Sequence, residues 1–198
     1  MSSAPSRSNA ADPVDTALTQ AVGAVLARVR AVGAANPVVL VDGRSGAGKS
    51  SLARRIVAAW PRPGRVQLVA LDDLYPGWDG LADGAEYARA QVLVPHAKGL
   101  IGIWERWDWE ADARAEAHAV DPALPLIVEG AGVLTAASAP LGDVTVWVDA
   151  PTGVRRRRGL DRDGDTYRPH WDRWAAQEDA HIAAHAPASL ASLVIEVP

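Results

Sequence analysis

Gly43-Arg44-Ser45-Gly46-Ala47-Gly48-Lys49-Ser50 satisfies G-x-x-x-x-G-K-[ST] at every fixed position. Between a strand and a helix, these types cradle a polyphosphate. The glycines let backbone N–H groups converge on it, the helix presents its positive end, and Lys49 brings a mobile charge to the transferred phosphoryl. Ser50 offers a hydroxyl to Mg²⁺. Gly43, Ser45, Gly46, Ala47, Gly48, Lys49, Ser50 and Ser51 are thus expected to hold a nucleoside triphosphate. Guanine-specific switches are excluded, because they need N-K-x-D and the chain's asparagines, Asn9 and Asn36, are not followed by lysine.

Other side chains suit the rest of a phosphoryl transfer. Moving a phosphoryl group to an alcohol requires a carboxylate beside the acceptor hydroxyl, and Asp72-Asp73 closes an apolar run over 66–71. Glu129 closes a second run, 126–128, where a carboxylate can serve the magnesium shell through water. Arginines 155–158 and Arg162 could stabilise the charge that develops on the phosphoryl oxygens. Trp104, Trp107 and Trp109, with Trp78, could wall a flat pocket, although each is equally a core filler in a chain with eight Trp and no Phe. Asp108, between two of these tryptophans, could chelate vicinal hydroxyls. Arg168 and His170 lie in a polar, aromatic segment that could also face the acceptor.

The elements that must position these groups follow from periodicity. Asp12-Pro13 reads as an N-cap and first helical residue, and apolar positions from Val14 to Val32 recur at helical spacing, predicting a helix over 14–33. Residues 38–41, 66–71, 126–128, 144–148 and 193–197 read as strands, the first buried on both faces. Helices are expected over 49–60, after Pro151, and over 171–185. Residues 75–85 read as a loop, and weak helical periodicity covers 86–102 and 110–118. Five strands alternating with helices predict an α/β fold, a three-layer sandwich with a mainly parallel five-stranded sheet and helices on both faces. Ligands in such sheets bind at the carboxyl ends of the strands.

With the phosphate loop, Asp72-Asp73-Leu74-Tyr75 resembles the D-x-F-Y element after the second strand of uridine kinases and related phosphoribulokinase-like P-loop kinases. Leu126-Ile127-Val128-Glu129-Gly130 is similar to that family's strand ending in E-G. Arg155, Arg158, Arg162 and Asp163 fall on its R-x-x-R-x-x-x-R-D lid pattern, after a strand ending in Val148-Asp149. The resemblance runs over about 38–197 and implies an ATP- and Mg²⁺-dependent kinase. It implies Asp72 as the base, with Asp73 and Tyr75 nearby, although two adjacent carboxylates can exchange roles. It also implies Glu129 in the magnesium shell and a lid over about 155–170 with Arg155, Arg158 and Arg162 on the nucleotide. The sequence departs from uridine kinases over 76–93 and 167–174, so the resemblance does not define the acceptor.

Composition narrows the classes. A chain of 198 residues with 48% hydrophobic and 22% charged residues suits one domain, here 14–198 behind a loose terminus at 1–13. No signal sequence or spanning segment is evident, and with no cysteine, disulfide frameworks and thiolate zinc sites are excluded and the cytoplasm is the default compartment. A net charge of -4 argues against nucleic-acid partners, leaving a small-molecule substrate. His181 and His185, at i,i+4 spacing, read as surface residues, and Asp161, Asp163 and Asp165 do not complete a calcium loop. Two alternatives stay open: an ATP-binding regulatory protein without a small acceptor, and a nucleoside monophosphate kinase using Arg89, Arg106 and Arg114.

Overall fold

A computed structural model describes residues 12–198. The reading of 1–13 as a loose terminus lies outside the described residues for 1–11. Asp12 accepts a hydrogen bond from the Val14 amide (3.0 Å), and Pro13 opens helix α1 (Pro13–Ala31). The chain then passes through β1 (Val38–Gly43), α2 (Lys49–Ala58) and β2 (Gln67–Ala70). Later come β5 (Leu126–Glu129), β6 (Val144–Asp149), α5 (Thr152–Tyr167), α6 (Trp171–His185), α7 (Pro187–Leu190) and β7 (Leu193–Glu196).

The main sheet has the order β2-β5-β1-β6-β7, and every pairing in it is parallel. Successive residues of β1 face opposite layers, as strand geometry requires. Val39 and Val41 pack with Leu18, Val25 and Val29 of α1 and Leu52 and Ile56 of α2. Val38 and Leu40 share the other core with Leu71, Leu81, Tyr167, Trp171 and Trp174. The expected sandwich is what forms. Because the sheet runs outward from β1 in both directions, the carboxyl ends of β1, β5 and β2 open into one crevice. Register places Glu129 level with Val41 on one side and Ala70 on the other.

The segment between β2 and β5 departs from expectation. Residues 75–85 are not all loop, because α3 begins at Leu81 and runs to Ala88. The helix continues through a π turn (Arg89–Leu93) into α4 (Val94–Ala97), five residues short of the expected end. Residues 110–118, read as helix, instead join a two-stranded antiparallel sheet of β3 (Gly102–Asp108) and β4 (Ala113–Val120). Alanine favours helix, but Ala113, Ala115, Ala117 and Ala119 alternate with Arg114, Glu116 and His118. That period of two let cross-strand pairing override propensity.

Candidate active site

The phosphate loop closes tightly between β1 and α2. Gly43 and Gly46 have φ of 149° and 77°, and a side chain on either would enter the carbonyl of Val148 or of Arg155 respectively. A cavity of about 250 Å³ lies over the start of α2, bounded by Gly46, Gly48, Lys49, Ser50 and Ser51 from the loop and by Asp72, Glu129, Arg158 and Arg162 opposite. Lys49 folds back, its Nζ donating to the Arg44 carbonyl at 3.1 Å. Arg158 Nη1 is buried and finds no hydrogen-bond partner among the described residues, so a donor is available for a phosphate oxygen. The residues expected at a metal fit one. Ser50 and Glu129 line one cavity, and burial pushes the Glu129 carboxyl above its ordinary range despite the pull of Lys49, a cost that a divalent cation would relieve. Among the described residues no cluster of three or more His, Asp or Glu gathers a metal unaided.

A second cavity of about 590 Å³ continues from the first, and Asp72, Glu129 and Arg162 line both. Its wall is aromatic. Trp78 lies 4.9 Å from Trp109 and 5.4 Å from Tyr167 between ring centroids, while Tyr75 meets Trp174 edge-on at 4.8 Å. The Asp72 carboxylate is exposed at the junction, and Trp109 Nε1 donates to the Asp72 carbonyl at 2.9 Å, tying the hairpin tip to the turn Leu71–Asp73.

No family model matches the chain, and no curated protein matches it in sequence. Solved structures do match in three dimensions. One, from Bacillus stearothermophilus and described as "a Possible Uridine Kinase", superposes with a TM-score of 0.66 at 19% identity, over 90% of this chain and 98% of that one. Another, a "putative fructose transport system kinase" from Silicibacter sp. TM1040, gives 0.65 at 22% identity, over 89% and 98%. The chain has a P-loop kinase fold.

Within that fold, several expected site residues stand away from the cavities. Arg155 is buried and faces the loop from behind: its Nε donates to the Ala150 carbonyl (3.0 Å) and its Nη1 to the Ser45 carbonyl (3.3 Å). Ala47 and Gly43 are buried in the loop's packing. Asp108 turns into the hairpin, where Oδ1 accepts from the Glu110 and Ala111 amides (3.0 and 2.9 Å) and Oδ2 from Arg106 (3.2 Å). Trp107 sits beside Arg114 on the hairpin. Arg168 pairs with Asp165 at the surface, and His170 stacks on Trp78 at 4.3 Å as a buttress. Asp73 is half-buried, and its pKa is raised by burial and by Asp72.

Asp73 gives a pH prediction. A carboxylate raised above its ordinary 3.8 makes the native state bind more protons, so its contribution to stability falls as pH climbs from 3.8 through the raised value. Asp73→Asn should flatten that slope and leave the melting temperature at pH 7 equal or higher. A lower melting temperature at pH 7 would show that the carboxylate is stabilising.

Sequence reasoning passed over the groups that brace the loop. Asp42 is buried, with Oδ1 accepting from the amides of Gly43 (2.6 Å) and Gly132 (2.9 Å), and Oδ2 from the Leu134 amide (2.8 Å) and His181 Nε2 (3.2 Å). His181 is therefore an interior residue, correcting its assignment to the surface; His185 is exposed as expected. Glu178, 3% exposed, accepts from the Ser45 amide at 2.6 Å. An aspartate ending an apolar strand was a readable signal for Asp42, whereas nothing local marks Glu178. Arg54 lines both cavities and stands one helical turn beyond Ser50.

Glu178 and Arg155 grip the amide and carbonyl of Ser45, one from α6 and one from α5. Glu178→Ala would strand a partly buried donor, costing about 1 kcal/mol. We expect ATP affinity to fall roughly tenfold, since donors must be preorganised to bind phosphate, and hydrogen exchange in the loop to accelerate. Glu178→Gln, which keeps an acceptor, should recover most of both. Unchanged loop exchange in the alanine variant would remove this role.

Proposed function

We propose that this protein is an ATP- and Mg²⁺-dependent kinase that transfers the γ-phosphoryl group to a hydroxyl of a small molecule. The observation that carries the proposal is the continuity of the phosphate-loop cavity with the aromatic cavity, with the Asp72 carboxylate at the junction. A nucleotide-binding switch has no use for that second chamber.

In this reading the loop from Gly43 to Ser51 binds the triphosphate, and Lys49 leaves the Arg44 carbonyl to follow the transferring group. Arg158 and Arg162 neutralise charge on its oxygens. Ser50 and Glu129 would hold the magnesium ion, which when bound supplies charge neutralisation between the phosphates. Asp72 accepts the proton of the acceptor hydroxyl as the oxygen attacks phosphorus, and the β-phosphate oxygen leaves with the electrons of the broken bond. Gly164, with φ 58° and ψ −135°, breaks α5 and gives residues 155–170 a hinge suited to a lid.

Acceptance of a nucleoside monophosphate is not supported. Arg89 is bound to Glu86, Arg106 to Glu116 and Asp108, and Arg114 lies over the Tyr87 ring, leaving none of the three on either cavity. Among the described residues no helix is long and apolar enough to cross a membrane. Together with the cysteine-free sequence, this supports a cytoplasmic site of action.

ADP release from ATP and Mg²⁺, measured against nucleosides, sugars and vitamins, tests the function. Stimulation by one acceptor is expected. ATP binding without acceptor-dependent turnover across the panel would favour a regulatory role.

A further inference from the structure

We propose that the acceptor is a flat aromatic or heteroaromatic methanol with few other polar groups, and not a polyhydroxylated sugar or a nucleoside; this rests on the kinase reading of the site. The acceptor chamber is built from five rings, and the polar handles of two are already engaged. The Tyr75 hydroxyl donates to the Ala131 carbonyl at 2.7 Å and Trp109 Nε1 to the Asp72 carbonyl at 2.9 Å.

The charged groups are similarly committed. Arg162 grips Asp163 through Nε and Nη2, at 2.8 and 2.7 Å. Arg54 and Glu129, like Asp72, line both cavities, and Glu129 is buried among the groups of the phosphate end. Asp108, which could have chelated a diol, is consumed by the hairpin turn. What the aromatic end offers an acceptor is the exposed Asp72 carboxylate, matched to one hydroxyl, with the Thr166 side chain and the edges of the Trp78 and Trp174 indoles around it.

Each additional hydroxyl laid on the faces of these rings would lose its water without gaining a partner, at a cost of about tenfold in affinity. A ribose diol or a hexose meets that penalty repeatedly. A planar ring does not, and it gains contact with the aromatic faces. The rings also exclude a sandwich: Trp78 stands 4.9, 5.4 and 6.4 Å from Trp109, Tyr167 and Trp174, all separations of rings in mutual contact. The acceptor packs against this panel, with its hydroxymethyl group reaching Asp72.

The test measures ATP·Mg²⁺ binding by the full-length protein, then ADP release with hydroxymethylpyridines, hydroxymethylpyrimidines and benzyl alcohol, and in parallel with uridine and D-fructose. At least one arylmethanol should exceed both comparators tenfold in kcat/KM. Trp78→Leu should raise its KM at least tenfold with a smaller change in kcat, and Trp78→Phe should recover most of the loss. Equal or better turnover of uridine or D-fructose, or ATP binding with no stimulation by any arylmethanol, overturns the substrate assignment. Failure of the wild-type protein to bind ATP·Mg²⁺ overturns the kinase reading beneath it.

Discussion

Asp72→Asn should lower acceptor-dependent phosphoryl transfer by roughly 10²–10⁴-fold while leaving ATP binding intact. The change is isosteric, and among the described residues the Asp72 carboxylate accepts no hydrogen bond, so it removes a base without breaking a structural contact. The Trp109 indole bonds the backbone carbonyl of Asp72, not its side chain, so the hairpin should stay docked. ATP affinity should hold or rise slightly, since a negative charge beside the phosphates is lost. ADP release with saturating acceptor, set beside equilibrium ATP binding, separates the two effects. Turnover within tenfold of wild type would transfer the role of base elsewhere. Asp73→Asn is the control: Asp73 lies off both cavities and its loss should cost little activity, which decides between the adjacent carboxylates.

Lys49→Ala should reduce turnover by at least about 10³-fold, the scale seen when a preorganised positive group is taken from a phosphoryl-transfer site. Lys49 is 9% exposed and among the described residues its side chain hydrogen-bonds only the Arg44 carbonyl of the same loop, so the fold should survive. A melting curve near that of wild type, combined with lost turnover and weakened ATP binding, is the expected signature. Wild-type rates would sink the mechanism, because no other lysine can substitute: Lys98, the only other one, sits exposed after α4.

How much of this was legible differs from element to element. The phosphate loop could be read because its function depends on consecutive residues, whose backbone geometry is set by glycine at fixed positions. The buried parallel strands could be read because they are apolar on both faces, and Glu129 because a carboxylate closing such a strand stands out. Helix α1 announced itself through Asp12-Pro13 and its apolar spacing.

The hairpin was misread because its alanines carry helical propensity, while the alternation of Arg114, Glu116 and His118 expresses strand only once β3 lies alongside. The order of the sheet, the meeting of two cavities at Asp72 and the retreat of Asp108 and Arg155 from the site all depend on contacts between distant residues. Ser45 and Glu178 are 133 positions apart, and Asp42 and His181 139 apart, yet each pair shares a hydrogen bond, partly buried in the first and buried in the second. A buried polar atom must find a partner somewhere in the folded chain, and local sequence does not say where. The sequence by itself determined the glycine-rich loop and the layered architecture, because both are written in short-range pattern. Only the tertiary structure decided which arginines and aspartates line the cavities, because that choice is made by packing.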